Sequence, residues 1–208
     1  AQYKERMGYV DAAFKFAYAF GFVVAGWMID RIGTRRGFSI SITVWSIAGM
    51  LHGFANSVMA MSGCRFLLGL GEAGNFPASI KSVAEWFPRK ERSFATGIFN
   101  AGANMGIILT AACVPAIVAA FGWRASFIIT GALGFGVLAV WLLAFYRPEA
   151  HPKVTAAELA YIRSDGEPDT DEAVRWRVLI PFKATWAFAI AKFLTDAVWW
   201  FYLTWLPS

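Results

Sequence analysis

Residues 94–120 read FATGIFNAGANMGIILTAACVPAIVAA, a stretch of 27 residues without a charged side chain. A helix of this length on the surface of a soluble protein would carry charged residues along its exposed face at helical spacing. The hydrocarbon core of a bilayer instead requires about 20 consecutive apolar residues of each helix that crosses it. This stretch therefore predicts a membrane-spanning helix.

The rest of the chain has the same character. Of its 208 residues, 58% are hydrophobic and only 16% are charged, whereas a soluble domain carries about 25% charged residues. In lipid, backbone N–H and C=O groups must form hydrogen bonds within the protein. A single apolar stretch can form all of these bonds within itself only by folding into a helix. We therefore predict an all-α membrane protein, a polytopic transmembrane helix bundle with about six spans, at 9–29, 38–55, 58–80, 94–120, 124–146 and 185–206.

The lysines and arginines outside these spans are distributed unequally between the two sides of the membrane. One side holds only Lys4, Arg6 and Arg124. Because cation-rich connections remain in the cytoplasm, the other side is predicted to be cytoplasmic. The excess of cations in the cytoplasmic connections then accounts for the net charge of +5, and no nucleic-acid partner is needed to explain it. The cytoplasmic side holds 13 cations, namely Arg31, Arg35, Arg36, Lys81, Arg89, Lys90, Arg92, Arg147, Lys153, Arg163, Arg175, Arg177 and Lys183.

Ionisable residues inside the third predicted span form a polar stripe. A charge at the centre of a bilayer costs about 2.5–3.5 kcal/mol on insertion scales, so such a residue needs a partner or a function. Arg65, Glu72 and Asn75 fall close to one helical face. Arg65 and Glu72 are two turns apart, about 10 Å, which is too far for a direct pair without stretching of the side chains. Gly69 lies between them and leaves room for a neighbouring helix or a solute.

Glu72 is the candidate for a residue that carries a proton. Desolvation favours the neutral form of a carboxyl group and a nearby arginine favours the ionised form, so the balance permits proton exchange near neutral pH. The alternative is that Glu72 bonds to polar groups of an adjacent helix and serves packing alone. Arg65 either binds substrate or extends its charge to the water at the outer end of the span. Pro77 removes a helical hydrogen bond and is expected to bend this span near the stripe.

Polar residues in other spans are further candidates for substrate binding. Tyr18 in the first span is deep enough to line a pocket. Asn100 and Asn104 share one face of the fourth span and would bond either a solute hydroxyl or a facing helix. In the last span Lys192 and Asp196 are spaced i,i+4 and can pair. Lys192 suits a carboxylate substrate, and the alternative is a closed Lys–Asp pair that serves packing.

The sequence offers no constellation for catalysis or cofactor binding. Residues 69–74, GLGEAG, match the G-x-G-x-x-G pattern, but a dinucleotide site needs that pattern between a strand and a helix, whereas here it lies within an apolar span. No pattern of a zinc protease, serine hydrolase or P-loop occurs, and there are only two histidines. We therefore expect no metal, no cofactor and no enzymatic activity. The spacing of Gly49 with Gly53, and of Gly102 with Gly106, predicts close contacts between helices.

One long connection, 147–184, divides the chain. Residues 1–146 before it are interpreted as a helix bundle, and residues 185–208 after it as the first helix of a second bundle. Within the connection, TAAE at 155–158 has capping-box spacing and predicts a short helix. The chain begins without a methionine and stops directly after a span, which indicates a piece of a longer polypeptide. Other helices of the same polypeptide are then its expected partners, together with the lipid bilayer.

The connection after the first span carries a motif of a known family. Residues 26–36 read GWMIDRIGTRR and are similar to G-x-x-x-D-R-x-G-x-R-R, the motif between the second and third helices of the major facilitator superfamily. RFLLGLGEAG at 65–74 resembles the fourth-helix motif of that superfamily, and EWFPRKER at 85–92 resembles the loop after it. The chain then corresponds to helices two to seven of twelve and lacks the first helix of its bundle.

A narrower resemblance implies a function. GEAGNFP at 71–77 with AEWFP at 84–88 resembles the anion:cation symporter family. AKFLTD at 191–196 and WWFYLTWLP at 199–207 resemble its hexuronate-transporter branch. This resemblance implies proton-coupled uptake of a sugar acid, such as glucuronate or galacturonate, by alternating access across the inner membrane of a bacterium. The implied partners are a small organic anion and a proton.

The same resemblance implies roles for individual residues. Glu72 would take part in proton coupling, and Arg65, Tyr18 and Asn75 would lie at or near a central cavity. Charge pairs and helix-end contacts at the cytoplasmic junction would form a latch that favours the outward-open state. Arg36 is interpreted as a topology signal alone. The implied latch consists of Gly26, Asp30, Arg31, Gly33, Arg35 and Arg92.

Two alternative functions remain open at this point. The first keeps the same fold but carries a different organic anion. The second is a membrane receptor or scaffold that transports nothing. The ionisable residues Arg65 and Glu72 inside a span favour transport, because a scaffold has no need of them.

Overall fold

Helices account for nearly all of the described chain, which comprises residues 2–165 and 176–205 of a computed structural model. The chain divides into two compact units, Ala1–Pro168 and Asp169–Ser208. The first unit contains α1 (Gln2–Ile32), α2 (Thr34–Leu51), a 3-10 turn (His52–Phe54), α3 (Val58–Glu72), α4 (Asn75–Trp86), α5 (Arg89–Ala144), a second 3-10 turn (Pro148–Ala150) and α6 (Ala156–Ile162). The second contains α7 (Trp176–Leu179) and α8 (Lys183–Trp205).

Three helices in the described part of the chain are long and apolar enough to cross a bilayer. They are Met7–Ile32, Thr34–Phe54 and Arg89–Ala144. The first two contain the predicted spans 9–29 and 38–55 almost completely. The third has 56 residues, about 84 Å of continuous helix, which is nearly three times the thickness of the hydrocarbon core. The chain must therefore reverse within it.

The reversal occurs at Gly122. This residue has φ 82° and ψ 164°, a conformation that a glycine adopts without steric cost. Contacts with α2 show that the chain returns after it. Arg124 lies beside Gly53 at the end of α2, whereas the carbonyl of Leu142 accepts a hydrogen bond from Arg35 at the start of α2. Residues 89–121 and 123–144 are therefore two passes, in agreement with the separate spans predicted at 94–120 and 124–146.

The predicted span 58–80 is two helices rather than one. Helix α3 ends at Glu72 and α4 begins at Asn75, with the amide of Gly74 bonded to the carbonyl of Gly71 at 3.3 Å in a tighter turn. Pro77 explains the position of the break, because it has no N–H to bond the carbonyl of Ala73 and its ring clashes with that carbonyl. The helix is therefore interrupted directly after Glu72, and the bend expected from Pro77 stays a prediction.

The glycines at 69, 71 and 74 are packing residues. A Cβ atom on Gly69 would lie 2.6 Å from the carbonyl oxygen of Phe14 on α1. One on Gly71 would lie 2.5 Å from the amide nitrogen of Trp45 on α2, and one on Gly74 would lie against Ser41 of the same helix. The G-x-G-x-x-G pattern therefore lets α3 approach two helices closely, as small residues do in membranes. Of the two roles left open for Gly69, the structure shows contact with a helix.

The two small-residue pairs predicted to make close helix contacts have different outcomes. Gly49 and Gly53 both pack against the second half of α5, with the Cβ position of Gly49 3.4 Å from the Cα atom of Gly131. Gly102 and Gly106 have no atom within 4 Å of their Cβ positions in the described chain. The prediction for Gly102 and Gly106 is therefore wrong for this unit, because the residues around them on α5 are exposed.

The connection after α5 begins with an ordered, capped helix. Thr155 accepts a hydrogen bond from the amide of Glu158 at 3.2 Å, which confirms the cap predicted at the start of α6. In the second unit α8 coincides with the predicted span 185–206, except that residue 206 lies outside the described residues. The indole of Trp186 donates to the carbonyl of Ile180 at 2.8 Å, just before this helix begins.

The close approach of α3 to α2 gives a test of the packing. We expect Gly71→Ala to lower the thermal midpoint of the purified protein in detergent, because overpacking against a backbone atom costs about 1–3 kcal/mol. Gly63→Ala on the same helix is the matched control, since nothing lies within 4 Å of its Cβ position. Alanine is the better helix former, so this control should not lower the midpoint. Equal midpoints for the two variants would contradict the packing.

Candidate functional site

Glu72 lies at the middle of the rod formed by α3 and α4. Fourteen residues separate it from Val58 at one end and from Trp86 at the other. The glycines beside it face α1 and α2, so that Glu72 points away from both helices, and it is exposed. Glycine packing therefore turns this carboxylate, at the middle of the predicted span 58–80, toward the open surface of the unit.

Arg65 is a charged residue on the same helix as this carboxylate. It is half-buried, seven residues before Glu72 on α3, and it interacts with Glu72 through Coulombic attraction. Within the described residues Glu72 forms no ion pair, in agreement with the predicted separation of about two turns. Asn75, at the start of α4, is half-buried. Arg65, Glu72 and Asn75 thus lie along α3 and α4, and the described structure shows no ion pair or hydrogen bond among them.

Tyr18 lies on α1, which packs against α3 beside Glu72. Gly21, three residues further along α1, lies beside Leu70 and Ala73, so Tyr18 is close to Glu72 but about one turn further from the end of α1. Its backbone nitrogen is 3.1 Å from the Cβ position of Gly69, and its ring stacks on that of Phe14 at 5.8 Å. The structure therefore supports grouping Tyr18 with Glu72.

The remaining candidates lie on other helices. Asn100 and Asn104 are exposed on the first pass of α5, and the structure shows neither in a hydrogen bond with another described residue. Lys192 is exposed on α8 in the second unit. The side chain of Asp196 lies outside the described residues, so the pair predicted between Lys192 and Asp196 remains a prediction.

The second group of predicted residues lies at the end of the bundle where α1 meets α2, which we call the cation-rich end. Gly33 forms the turn there with φ +86°, and a terminal nitrogen of Arg147 lies 3.2 Å from its Cβ position. The ammonium group of Lys81 on α4 donates to the carboxylate of Asp30 at 2.9 Å and to the carbonyl of Ile29 at 3.3 Å. The ion pair therefore fastens α4 to the end of α1.

Two arginines hold further helix ends in the same region. The Arg35 guanidinium lies 4.4 Å from the centre of the Tyr146 ring, after the end of α5. Arg92 donates from Nε to the carbonyl of Phe87 at 3.0 Å and from its terminal nitrogen to the carbonyl of Ala84 at 2.9 Å. Arg92 thus occupies the C-terminal end of α4, where a cation complements the helix dipole.

Arg31 and Gly26 are connected less closely to this network. The Arg31 guanidinium stacks 4.4 Å from the centre of the Trp27 ring on its own helix. No atom lies within 4 Å of the Cβ position of Gly26. The structure places both residues near the turn but gives neither a partner on another helix among the described residues.

Sequence reasoning did not single out one buried pair at this end. Thr34 at the start of α2 donates its hydroxyl to Oε1 of Glu85 at 2.5 Å, and Glu85 is only 6% exposed. The other carboxylate oxygen of Glu85 has no hydrogen-bond partner in the described chain. The position of Glu85 in the motif at 85–92 could have marked it as a functional residue. The burial of Glu85 could not be predicted from the sequence.

The connection after α5 is fastened to the same end by side-chain contacts. Arg163 pairs with Glu149, and the Tyr161 hydroxyl donates to Glu91 near the start of α5. Partial burial raises the pKa of the Glu149 carboxyl, but the hydrogen bond and charge of Arg163 outweigh it and hold that pKa below its usual value. The hydrogen bond to Glu91 raises the pKa of the Tyr161 hydroxyl. The hydrogen bond of Tyr161 therefore connects α6 to α5, whereas the pair of Arg163 and Glu149 lies within the connection itself.

Helices long and apolar enough to cross a bilayer, together with a network of charges at one end of the bundle, define a polytopic α-helical integral membrane protein. The chain belongs to the Major Facilitator Superfamily, whose sequence profile matches residues 3–208. This confirms the superfamily that the motifs at 26–36, 65–74 and 85–92 indicated.

Curated relatives of this chain are bacterial transporters. The "Probable sulfoacetate transporter SauU" of Cupriavidus necator is 37% identical over 98% of this chain and 48% of its own length. The "Probable galactarate/D-glucarate transporter GudP" of Escherichia coli is 32% identical over 97% of this chain and 49% of its own length. The "Hexuronate transporter" of Escherichia coli is 29% identical over 98% of this chain and 48% of its own length. The chain thus spans about half the length of these relatives.

A solved structure has the same fold. It is a bacterial homologue of the human lysosomal transporter Spinster, in an inward-facing and occupied conformation. The TM-score is 0.54 at 24% sequence identity, over 65% of this chain and 35% of that one. At this identity the likeness concerns the fold alone.

The pair between Thr34 and Glu85 generates a test of the cation-rich end. Thr34→Val keeps the shape of the side chain but removes the only hydroxyl that the structure shows bonded to Glu85. Leaving a buried carboxylate without this donor costs about 1–3 kcal/mol, so we expect a lower thermal midpoint in detergent. Thr43→Val is the matched control on α2, because the Thr43 hydroxyl bonds the carbonyl of Ser39 within its own helix. A midpoint unchanged in Thr34→Val would show that the pair contributes no stability.

Proposed function

We propose that the full-length protein is a secondary active transporter that moves a sugar acid together with a proton. The observation that carries this proposal is the position of Glu72, at the midpoint of the α3–α4 rod and turned toward the open surface. An ionisable residue at that depth is expensive unless it has a function. The motifs of the superfamily and the relatives that are sugar-acid transporters support the same proposal.

In this proposal Glu72 takes up a proton from one side of the membrane and releases it to the other. Alternating access exposes a midplane site to each side in turn, so a carboxylate at that site can carry a proton across. The break between α3 and α4 directly after Glu72 supports this role, because transporter sites at the midplane are commonly built at interrupted helices. Arg65 stabilises the ionised form of Glu72 after the proton has left.

The substrate is proposed to bind beside this carboxylate. Arg65 would attract the carboxylate of the sugar acid, while Tyr18 and Asn75 would bond its hydroxyl groups. Tyr18 lies beside Gly69, which precedes Glu72 by three residues. The same proposal assigns substrate hydroxyl groups to Asn100 and Asn104. It also includes substrate binding by Lys192 and Asp196 on α8. Exposed amide and ammonium groups on membrane helices suit a polar anion.

The cation-rich end is proposed to act as a conformational latch. Its contacts connect the ends of α1, α2, α4 and α5, so a rearrangement at one helix end is transmitted to the others. The pair between Asp30 and Lys81 and the contacts of Arg35 and Arg92 support this role. Gly33 supports it by its positive φ, whereas Gly26 and Arg31 are included for their place in the motif. By the positive-inside rule this end faces the cytoplasm of a bacterial cell.

A second candidate substrate is a small sulfonate. A relative at 37% identity is described as a sulfoacetate transporter. A sulfonate and a carboxylate are both anions that an arginine recognises, so Arg65 accommodates either. A receptor or scaffold without transport is less consistent with the structure, because it gives the exposed carboxylate of Glu72 no purpose.

Uptake into proteoliposomes that contain the full-length protein tests the proposal. Labelled glucuronate, galacturonate, galactarate and sulfoacetate would be supplied with and without an inward proton gradient. We expect gradient-driven accumulation of a sugar acid, and we expect Glu72→Gln to abolish accumulation while it retains exchange of labelled for unlabelled substrate. Exchange needs no net proton movement, whereas accumulation does.

The controls separate the parts of the proposal. Glu158→Gln makes the same chemical change on the exposed helix α6 and should accumulate substrate normally. Lys192→Ala should weaken substrate binding if Lys192 contacts the carboxylate. Accumulation of sulfoacetate alone would replace the substrate but keep the mechanism. Normal gradient-driven accumulation by Glu72→Gln would remove Glu72 from proton coupling.

A further inference from the structure

A chain of aromatic rings connects three helices beside Glu72. The rings of Tyr18 and Phe22 on α1 have centroids 6.3 Å apart. Phe22 lies 6.0 Å from Phe76 on α4, and Phe76 lies 6.2 Å from Phe99 on α5. Distances of this size are those of interacting aromatic pairs. Sequence analysis singled out only Tyr18 among these residues.

Three of these phenylalanines meet although they come from three helices. Each lies ten residues from the end of its helix at the cation-rich end, Phe22 on α1, Phe76 on α4 and Phe99 on α5. Because the ring of Phe76 contacts both of the others, Phe22, Phe76 and Phe99 form one apolar cluster, which we call the phenylalanine layer.

Phe76, the central ring of the phenylalanine layer, lies between Glu72 and the cation-rich end. Ala73 and Gly74, the residues of the interruption, keep right-handed helical φ and ψ, so Phe76 lies about one turn, or 6 Å, nearer that end than Glu72. Phe22 is 38% exposed and Phe76 is 39% exposed. A layer that served only to pack this unit would be buried, whereas these rings border the same open surface as Glu72.

We propose that Phe22, Phe76 and Phe99 form the apolar half-seal that separates Glu72 from cytoplasmic water. The proposal rests on the proposed function, in that Glu72 carries the transported proton. Narrow passages lined by apolar side chains exclude water and so block ions. A carboxylate that exchanged protons with both sides at once would dissipate the gradient, so coupling requires such a barrier on the closed side. Phe76 is the central member, because it contacts both other rings.

Loss of the Phe76 ring should open the barrier. Phe76→Ala removes both ring contacts, whereas Phe76→Leu keeps an apolar side chain of intermediate volume. We expect Phe76→Ala in proteoliposomes of the full-length protein to raise the proton leak severalfold in the absence of substrate. Phe76→Leu should leave the leak near that of the parent. Phe94→Ala, on α5 and 75% exposed, is the control for loss of a phenylalanine outside the layer.

Thiol labelling tests the seal without reference to transport. Single cysteines at position 72 or 79 would be introduced in a background with Cys64 and Cys113 replaced by serine. A charged, membrane-impermeant thiol reagent would then be applied from the cytoplasmic side. We expect Phe76→Ala to raise the labelling rate severalfold at position 72, above the layer, but not at position 79, below it. Phe76→Leu should raise neither rate.

The outcomes distinguish the seal from other roles. Equal acceleration at positions 72 and 79 would mean that Phe76 sets the conformational equilibrium, and the proposal would be wrong. Unchanged labelling and unchanged leak in a folded Phe76→Ala protein would also overturn it. If labelling changes as expected but the parent shows no proton-driven uptake, the half-seal stands and the proposed coupling through Glu72 fails.

Discussion

The close packing of α3 against α1 and α2 is the contact on which the rest of the structure depends. It is possible because Gly69 and Gly71 have no side chains where backbone atoms of α1 and α2 approach, and Gly74 has none where the side chain of Ser41 lies. In lipid no hydrophobic driving force brings helices together, so close van der Waals approach has to supply the attraction. Because α1 and α2 cover two sides of α3, the side chain of Glu72 extends toward the remaining side, which is the open surface. The same glycines therefore hold the bundle together and orient its acidic residue.

Two interruptions of helical structure set the architecture around that contact. Pro77 cannot complete the hydrogen bond to Ala73, so the rod breaks between Glu72 and Asn75. Gly122 adopts a positive φ and reverses the chain inside what would otherwise be one long helix. The first interruption lies beside the carboxylate and the second at the end of the bundle opposite the cation-rich end. The first interruption arises because Pro77 has no backbone N–H, and the second because Gly122 has no Cβ atom.

Much of the fold could be predicted from the residues alone. The spans at 9–29 and 38–55, the pair at 94–120 and 124–146, and the cap at Thr155 follow from apolar length and from short-range hydrogen bonding. The spacing of Arg65 and Glu72 correctly excluded a direct pair. Other features depend on neighbours distant in sequence. The close contact predicted for Gly102 and Gly106 is not found in the described chain, and the burial of Glu85 against Thr34 was not anticipated.

The sequence by itself determined that this chain is helical, crosses a membrane and carries a charged residue where charge is expensive. These properties depend on composition and on spacing along one helix, because the bilayer acts on each apolar stretch separately. Only the tertiary structure decided which face of α3 is covered and which residues of other helices lie beside it. It also decided that Phe22, Phe76 and Phe99 meet across three helices. Those facts depend on how closely backbones approach one another, and that is set jointly by residues far apart in the chain.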